Sequence, residues 1–163
     1  MAFEFINKKG DRKPKLTPNI EDYNDFVDQF DWSDVYEEIS WLPGGGLNNA
    51  FVCIDKHVLE GKGQKIAMIW EGKNGEEEKY TFEEMKSQTD KFANVLKSIG
   101  IEKGDRVFVF MDRLPECYFS VFGGLKIGAI VGPLFSAFGP DPVKDRMSDS
   151  GAKVLVTQPE LRK

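Results

Sequence analysis

Residues 104–134 read GDRVFVFMDRLPECYFSVFGGLKIGAIVGPL, and two short apolar runs in this stretch, RVFVFM (106–111) and AIVGPL (129–134), bracket one longer apolar segment. The first run alternates β-branched and aromatic residues, which suits a buried strand. Pro115 fits the first turn of a helix, where its missing N–H is not needed. Residues 116–127 are apolar on nearly every side, so that helix should lie sandwiched, and Gly128 ends it. The second run is another strand, with Pro133 marking its end or a bulge because proline cannot donate to a ladder. Downstream, the sequence predicts a helix over Pro140–Ser150 with Pro142 in its first turn, a stop at Gly151, and a third strand over Lys153–Thr157 (KVLVT). Strands separated by helices in this way form βαβ units, whose right-handed crossovers give a parallel sheet covered by helices on both faces. The fold class is therefore α/β.

The pattern continues upstream. Lys65–Trp70 (KIAMIW) is strand-like, and the charged stretch 71–79 carrying Asn74-Gly75 is a turn to the next extended residues. Thr81 and Glu84 have the spacing of a capping box, in which each side chain accepts the other's backbone N–H. A helix should start there, with Phe82, Met85, Phe92, Val95, Leu96 and Ile99 at helical spacing and Gly100 as its stop. Gly123-Gly124 sits inside the apolar helix and points to close approach of a neighbouring backbone. A further helix is predicted from Asn48 to about Leu59, with Ala50, Phe51, Ile54 and Val58 on one face.

Residues 1–50 form a lead-in of different character. Tyr23, Phe26 and Phe30, then Trp32, Tyr36 and Ile39, have the spacing of short amphipathic helices. Residues 1 to about 20 carry charge and proline but little apolar material, so they should be poorly ordered or pinned by contacts. This gives two regions, a partly helical and partly disordered lead-in (1–50) and an α/β subdomain (51–163). Gly44, Gly45 and Gly46 have no strand before them and no Lys-Ser or Lys-Thr after them, so they read as a loop and not a phosphate cradle.

A chain of 163 residues buries roughly two thirds of its unfolded surface, enough for a real core. Its net charge of −5 gives no overall pull toward nucleic acid or an anionic membrane, so neither is expected as a partner. Cys53 and Cys117 stand apart in apolar stretches and are expected to be reduced core thiols. No run approaches a membrane span and the first residues show no hydrophobic signal segment, which predicts the cytoplasm. His57, the single histidine, lacks a neighbouring nucleophile or second ligand and reads as a structural hydrogen-bonding group. Glu76, Glu77 and Glu78 read as a solvated run beside a turn. No catalytic or metal-ligating constellation emerges from residue chemistry alone.

The order of several sequence blocks carries more. LNNAFVCIDKHV (47–58), YTFEEM (80–85), GDRVFVFM (104–111), LPE (114–116) and LKIGAIVGPLFSAFGPDPVKDRMSDSGAKVLVT (125–157) follow one another as in the AMP-forming acetyl-CoA synthetases. The likeness runs from about Asp31 to Lys163 and is greatest to the shorter bacterial type. It implies adenylate-forming ligase chemistry, in which acetate and ATP give acetyl-adenylate and pyrophosphate, and CoA then displaces AMP to give acetyl-CoA. It also implies ATP, CoA and Mg²⁺ for the intact enzyme. The family's phosphate loop, acyl pocket and catalytic lysine have no counterpart in these residues, so the resemblance implies an N-terminal fragment, inactive alone, whose partner is the rest of its own polypeptide.

The same resemblance implies candidate CoA-proximal residues: Phe135, Ala137, and the basic Arg162 and Lys163. Here Ser136 and Ala137 stand where the longer synthetases carry glycines. An aromatic ring can stack on adenine and a basic side chain can pair a phosphate. The alternative is that Phe135 and Phe138 pack in the core and Arg162 and Lys163 form a solvated end. At the level of the whole chain, the alternatives are a synthetase acting on another short, medium-chain or aryl acid, or an autonomous α/β binding module.

Overall fold

The computed structural model describes residues 19–20, 22–36, 39 and 42–161, in two units spanning 1–39 and 40–163. In the first unit, helix α1 (Tyr23–Gln29) starts because the Asp22 carboxylate accepts the Asn24 and Asp25 N–H groups at 2.9 and 3.2 Å. A four-residue helix α2 (Ser33–Tyr36) follows. The Phe26 and Phe30 rings stack at 5.5 Å, and Trp32 meets Phe30 edge-on at 5.3 Å. Two short helices thus form where the aromatic spacing predicts them. The expectation for residues 1 to about 20 falls almost entirely outside the described residues.

The second unit opens with the three glycines in left-handed conformation, φ between 90° and 95°. Open space surrounds all three, as suits a plain loop. The segment predicted as a helix from Asn48 is helical, but its turns are wide: π-helical turns cover Phe51–Asp55 and Val58–Lys62. Asn48 anchors the start. Its Oδ1 accepts the Phe51 N–H at 3.1 Å while its Nδ2 donates to the Leu125 carbonyl at 2.8 Å.

Strands β1 (Ile66–Glu71) and β2 (Glu77–Thr81) pair antiparallel as a hairpin closed at Asn74-Gly75, where Gly75 has φ 89°. This hairpin is a sheet of its own, tied to the body by the Trp70 indole donating to the Arg113 carbonyl at 2.7 Å. Helix α3 (Phe82–Ser98) begins at the capping box: Thr81 Oγ1 accepts the Glu84 N–H at 3.2 Å, and the Glu84 carboxylate accepts the Thr81 N–H at 2.8 Å.

Strand β3 (Arg106–Phe110), helix α4 (Pro115–Lys126), strand β4 (Ile130–Leu134), helix α5 (Pro140–Ser150) and strand β5 (Val154–Thr157) complete the body. The three strands are parallel in the order β4-β3-β5, with Val107 opposite both Val131 and Val154. Pro133 is accommodated because β4 lies at the edge, one residue from its end. Successive side chains of a strand face opposite ways. Accordingly Val107 turns toward Leu96, Ile101 and Ala129 in the core, while Phe110 shares a cavity wall with α5.

The predicted close approach at Gly123-Gly124 is realised. A Cβ on Gly123 would stand 2.9 Å from the Thr89 carbonyl oxygen, and one on Gly124 would stand 2.6 Å from Val131 Cγ2. Helix α4 is therefore pressed between α3 and β4. Lys126, at its end, reaches Asp55 at 2.9 Å and Asp90 at 2.5 Å, and Lys86 joins Asp90 at 2.6 Å. Burial pushes the Asp90 carboxyl up, but the hydrogen bonds from Lys126 and Lys86 and their charges outweigh it, leaving the group below its ordinary value.

Two expectations about single residues need correction. Cys53 is exposed and Cys117 only half-buried, so neither is a core thiol. Ile54 takes the inward position on its helical turn and leaves Cys53 at the mouth of a small apolar pocket. His57 packs its ring 4.5 Å from that of Phe82, and its buried Nδ1 has no hydrogen-bond partner among the described residues. It contributes by packing at that nitrogen, not by hydrogen bonding.

Candidate functional site

Parallel strands deliver all their C-terminal ends to one rim, where open α/β sheets place ligands. Here Phe110, Leu134 and Thr157 end β3, β4 and β5 and lead into Met111-Asp112, Phe135–Gly139 and Gln158–Leu161. One side-chain clamp joins the first and third of these: Gln158 accepts the Asp112 N–H at 2.8 Å and donates to the Asp112 carboxylate at 3.0 Å.

The Phe135–Phe138 segment is a tight turn, closed by the Phe138 N–H donating to the Phe135 carbonyl at 3.0 Å. Phe135 is 66% exposed, which goes against the alternative in which it packs in the core. Leaving β4 at the sheet edge, it finds no layer above it. Ala137 is also exposed, and Ser136 and Phe138 are half-buried. Among the described residues no non-glycine has positive φ. Ser136 and Ala137 therefore adopt this turn without the conformation that would demand glycine.

The Phe135 and Phe138 rings meet edge-on, 5.8 Å apart. Above Phe138 lies the Arg146 guanidinium, 4.4 Å from the ring centroid, with one N–H donating to the Pro142 carbonyl at 2.9 Å. Beside this group a cavity of about 600 Å³ opens between α5 and the sheet, walled by Phe110, Phe138, Val143 and Leu155, with Lys144 and Glu160 among its polar lining. Mostly apolar walls with a few polar groups are the usual make-up of a small-molecule site.

Of the four residues singled out from the sequence, Phe135 and Ala137 share the turn after β4. Arg162 and Lys163 lie outside the described residues. Two rim features escaped the sequence. The Asp112–Gln158 clamp joins residues 46 apart in the chain, which no local spacing reveals. Arg146 sits on a helix whose pattern gives its face but not its ring partner. Among the described residues no three His, Cys, Asp or Glu side chains gather as metal ligands, so these residues offer no ready-made protein cage for Mg²⁺. No helix of the described residues is long and apolar enough to cross a membrane.

Comparison with known proteins bears on the fold and the family. Residues 55–163 match the family model described as AMP-binding enzyme. The acetyl-coenzyme A synthetase of Bacillus subtilis (strain 168) is 46% identical over 144 residues, covering 88% of this chain and 25% of that protein. The acetyl-coenzyme A synthetase of Pseudoalteromonas translucida is 42% identical over 126 residues, 77% of this chain and 19% of the relative. The crystal structure of Brucella canis acyl-CoA synthetase superposes with a TM-score of 0.77 at 33% identity, covering 86% of this chain and 25% of that one. The chain thus spans about a quarter of the length of these relatives, or less. Since the family model covers residues 55–163, more than half of the chain and all of the parallel sheet, the chain belongs to the AMP-binding enzyme family.

Proposed function

We propose that this chain is the N-terminal part of an AMP-forming acetate–CoA ligase, with residues 51–163 as an α/β subdomain of its N-terminal domain. The intact enzyme joins acetate to the α-phosphate of ATP, releasing pyrophosphate, and the CoA thiol then attacks the acetyl carbonyl and expels AMP. The intact enzyme would use Mg²⁺ to offset phosphate charge on ATP, and no cluster of three ligating side chains among the described residues stands ready for it. What carries the reading is the 46% identity to an acetyl-coenzyme A synthetase over 88% of the chain, together with the match of the fold to an acyl-CoA synthetase structure.

Within that enzyme the role of this part is to hold a rim for CoA. Phe135 offers an exposed ring for adenine, and Ala137 keeps the turn narrow enough for a nucleotide to approach the backbone. Arg162 and Lys163, next along the chain after the β5 rim, supply charge for phosphate. The adenylation machinery is absent from these 163 residues, so the chain by itself catalyses no acetate-dependent exchange between ATP and pyrophosphate.

The test is a chimera in which this chain replaces the matching quarter of the Bacillus subtilis synthetase. Acetate- and CoA-dependent AMP release is the expected result, with the isolated chain inert. A chimera that folds yet activates no acetate contradicts the ligase reading. Robust exchange by the pure isolated chain contradicts the fragment reading.

A further inference from the structure

We propose that Arg146 is a positioning residue that sets the ring of Phe135 for the CoA nucleotide through Phe138; this rests on the reading of the β4 rim as the CoA side. The observations form a chain of contacts. The Arg146 guanidinium lies 4.4 Å from the centroid of Phe138 and is itself fixed by its bond to the Pro142 carbonyl at 2.9 Å, one helical turn back on α5. Phe138 presents its ring edge-on to Phe135 at 5.8 Å, nearly perpendicular at 87°. The backbone bond from Phe138 to Phe135 closes the same turn.

Phe135 needs such an arrangement. With 66% of its surface exposed, Phe135 has little core packing to hold its χ1 and χ2. A ring that must meet a base face loses affinity when its rotamers have to be ordered on binding. An edge-on neighbour restricts it, and that neighbour holds its own angle because a cation covers its face. Arginine suits the task better than lysine because its planar head can stack on the ring and still donate sideways to Pro142.

Two readouts test this. The first is aromatic ¹H–¹³C NMR of the 163-residue chain, in which Arg146→Ala should shift the Phe138 and Phe135 ring signals and average the Phe135 rotamers. The second is steady-state kinetics in the chimera. Arg146→Ala should raise the CoA KM about 2- to 5-fold, the scale of an exposed cation–π contact, with the acetate and ATP KM values and the adenylation half-reaction unchanged. Arg146→Lys should recover part of the effect and Arg146→Gln none, and combining Arg146→Ala with Phe135→Ala should add little to Phe135→Ala alone. Unmoved Phe135 signals, or an Arg146→Gln variant with the parental CoA KM, overturns the positioning role while Phe135→Ala still weakens CoA. If Phe135→Ala leaves the CoA KM unchanged, the rim reading falls and this role falls with it.

Discussion

The two ends of the parallel sheet are built from the same three strands and finished in opposite ways. At the N-terminal end, Asp105 accepts the Glu102 N–H at 2.9 Å and pairs with Lys153 at 2.7 Å. Arg106 donates to the carbonyls of Gly104, Ser150 and Gly151 at 2.9–3.1 Å, tying the end of α5 to the start of β3. At the C-terminal end, the Asp112–Gln158 clamp is exposed, Phe135 faces solvent and a cavity separates α5 from the sheet. One end is saturated with charge-assisted bonds, while the other is left open. The difference separates residues tied into the fold from residues left exposed at an open rim, although both groups lie in conspicuous sequence blocks.

A core truncation sets the scale against which the ends are judged. Leu96, 1% exposed beneath the sheet, should cost about 2–5 kcal/mol as Leu96→Ala, read from the urea midpoint. At the closed end, Arg106→Ala removes three donors from carbonyls at the end of α5 and the start of β3 and should cost about 1–3 kcal/mol. A loss below the scatter of surface substitutions would erase the contrast between the ends.

The closed end also carries a pH signature. The hydrogen bond from Lys153, with the backbone bond from Glu102, holds the Asp105 carboxyl below its ordinary value of 3.8. Its contribution is complete above that value and is lost as the pH falls through the lower folded-state value, where the carboxylate protonates. Acid titration of stability should therefore be shallower in Asp105→Asn than in the parent over this acidic window, with no difference near neutrality in slope. At the open end, Phe135→Ala should change stability by less than about 0.5 kcal/mol. A larger loss would make Phe135 a packing residue.

How much of this was legible in the sequence follows from the range of each interaction. RVFVFM, the Thr81–Glu84 box, Pro115 and Gly151 act within a few residues, and each formed the element its chemistry demands. Gly123-Gly124 was readable because an apolar helix has little other use for two glycines. The width of the turns at 51–62 was not, since the same apolar face serves an α- or a π-helix and long-range anchors such as Asn48 to Leu125 decide the outcome. Likewise Arg106 and Ser150 are 44 residues apart, so no local spacing in RVFVFM shows that Arg106 also ties down the end of α5. At the rim, the resemblance supplied Phe135, whereas its exposure and its link to Arg146 required the fold.

Of the two ends of the sheet, the C-terminal rim is the one proposed to meet CoA. Hydrogen exchange of the chimera, with and without CoA, reads both ends in one experiment. Slowed exchange on adding CoA at the amides of Phe135–Gly139, with those of Gly104–Val107 unchanged, is the predicted result. Protection confined to the Gly104–Val107 end, or no change at Phe135–Gly139 while the chimera turns over CoA, would contradict it.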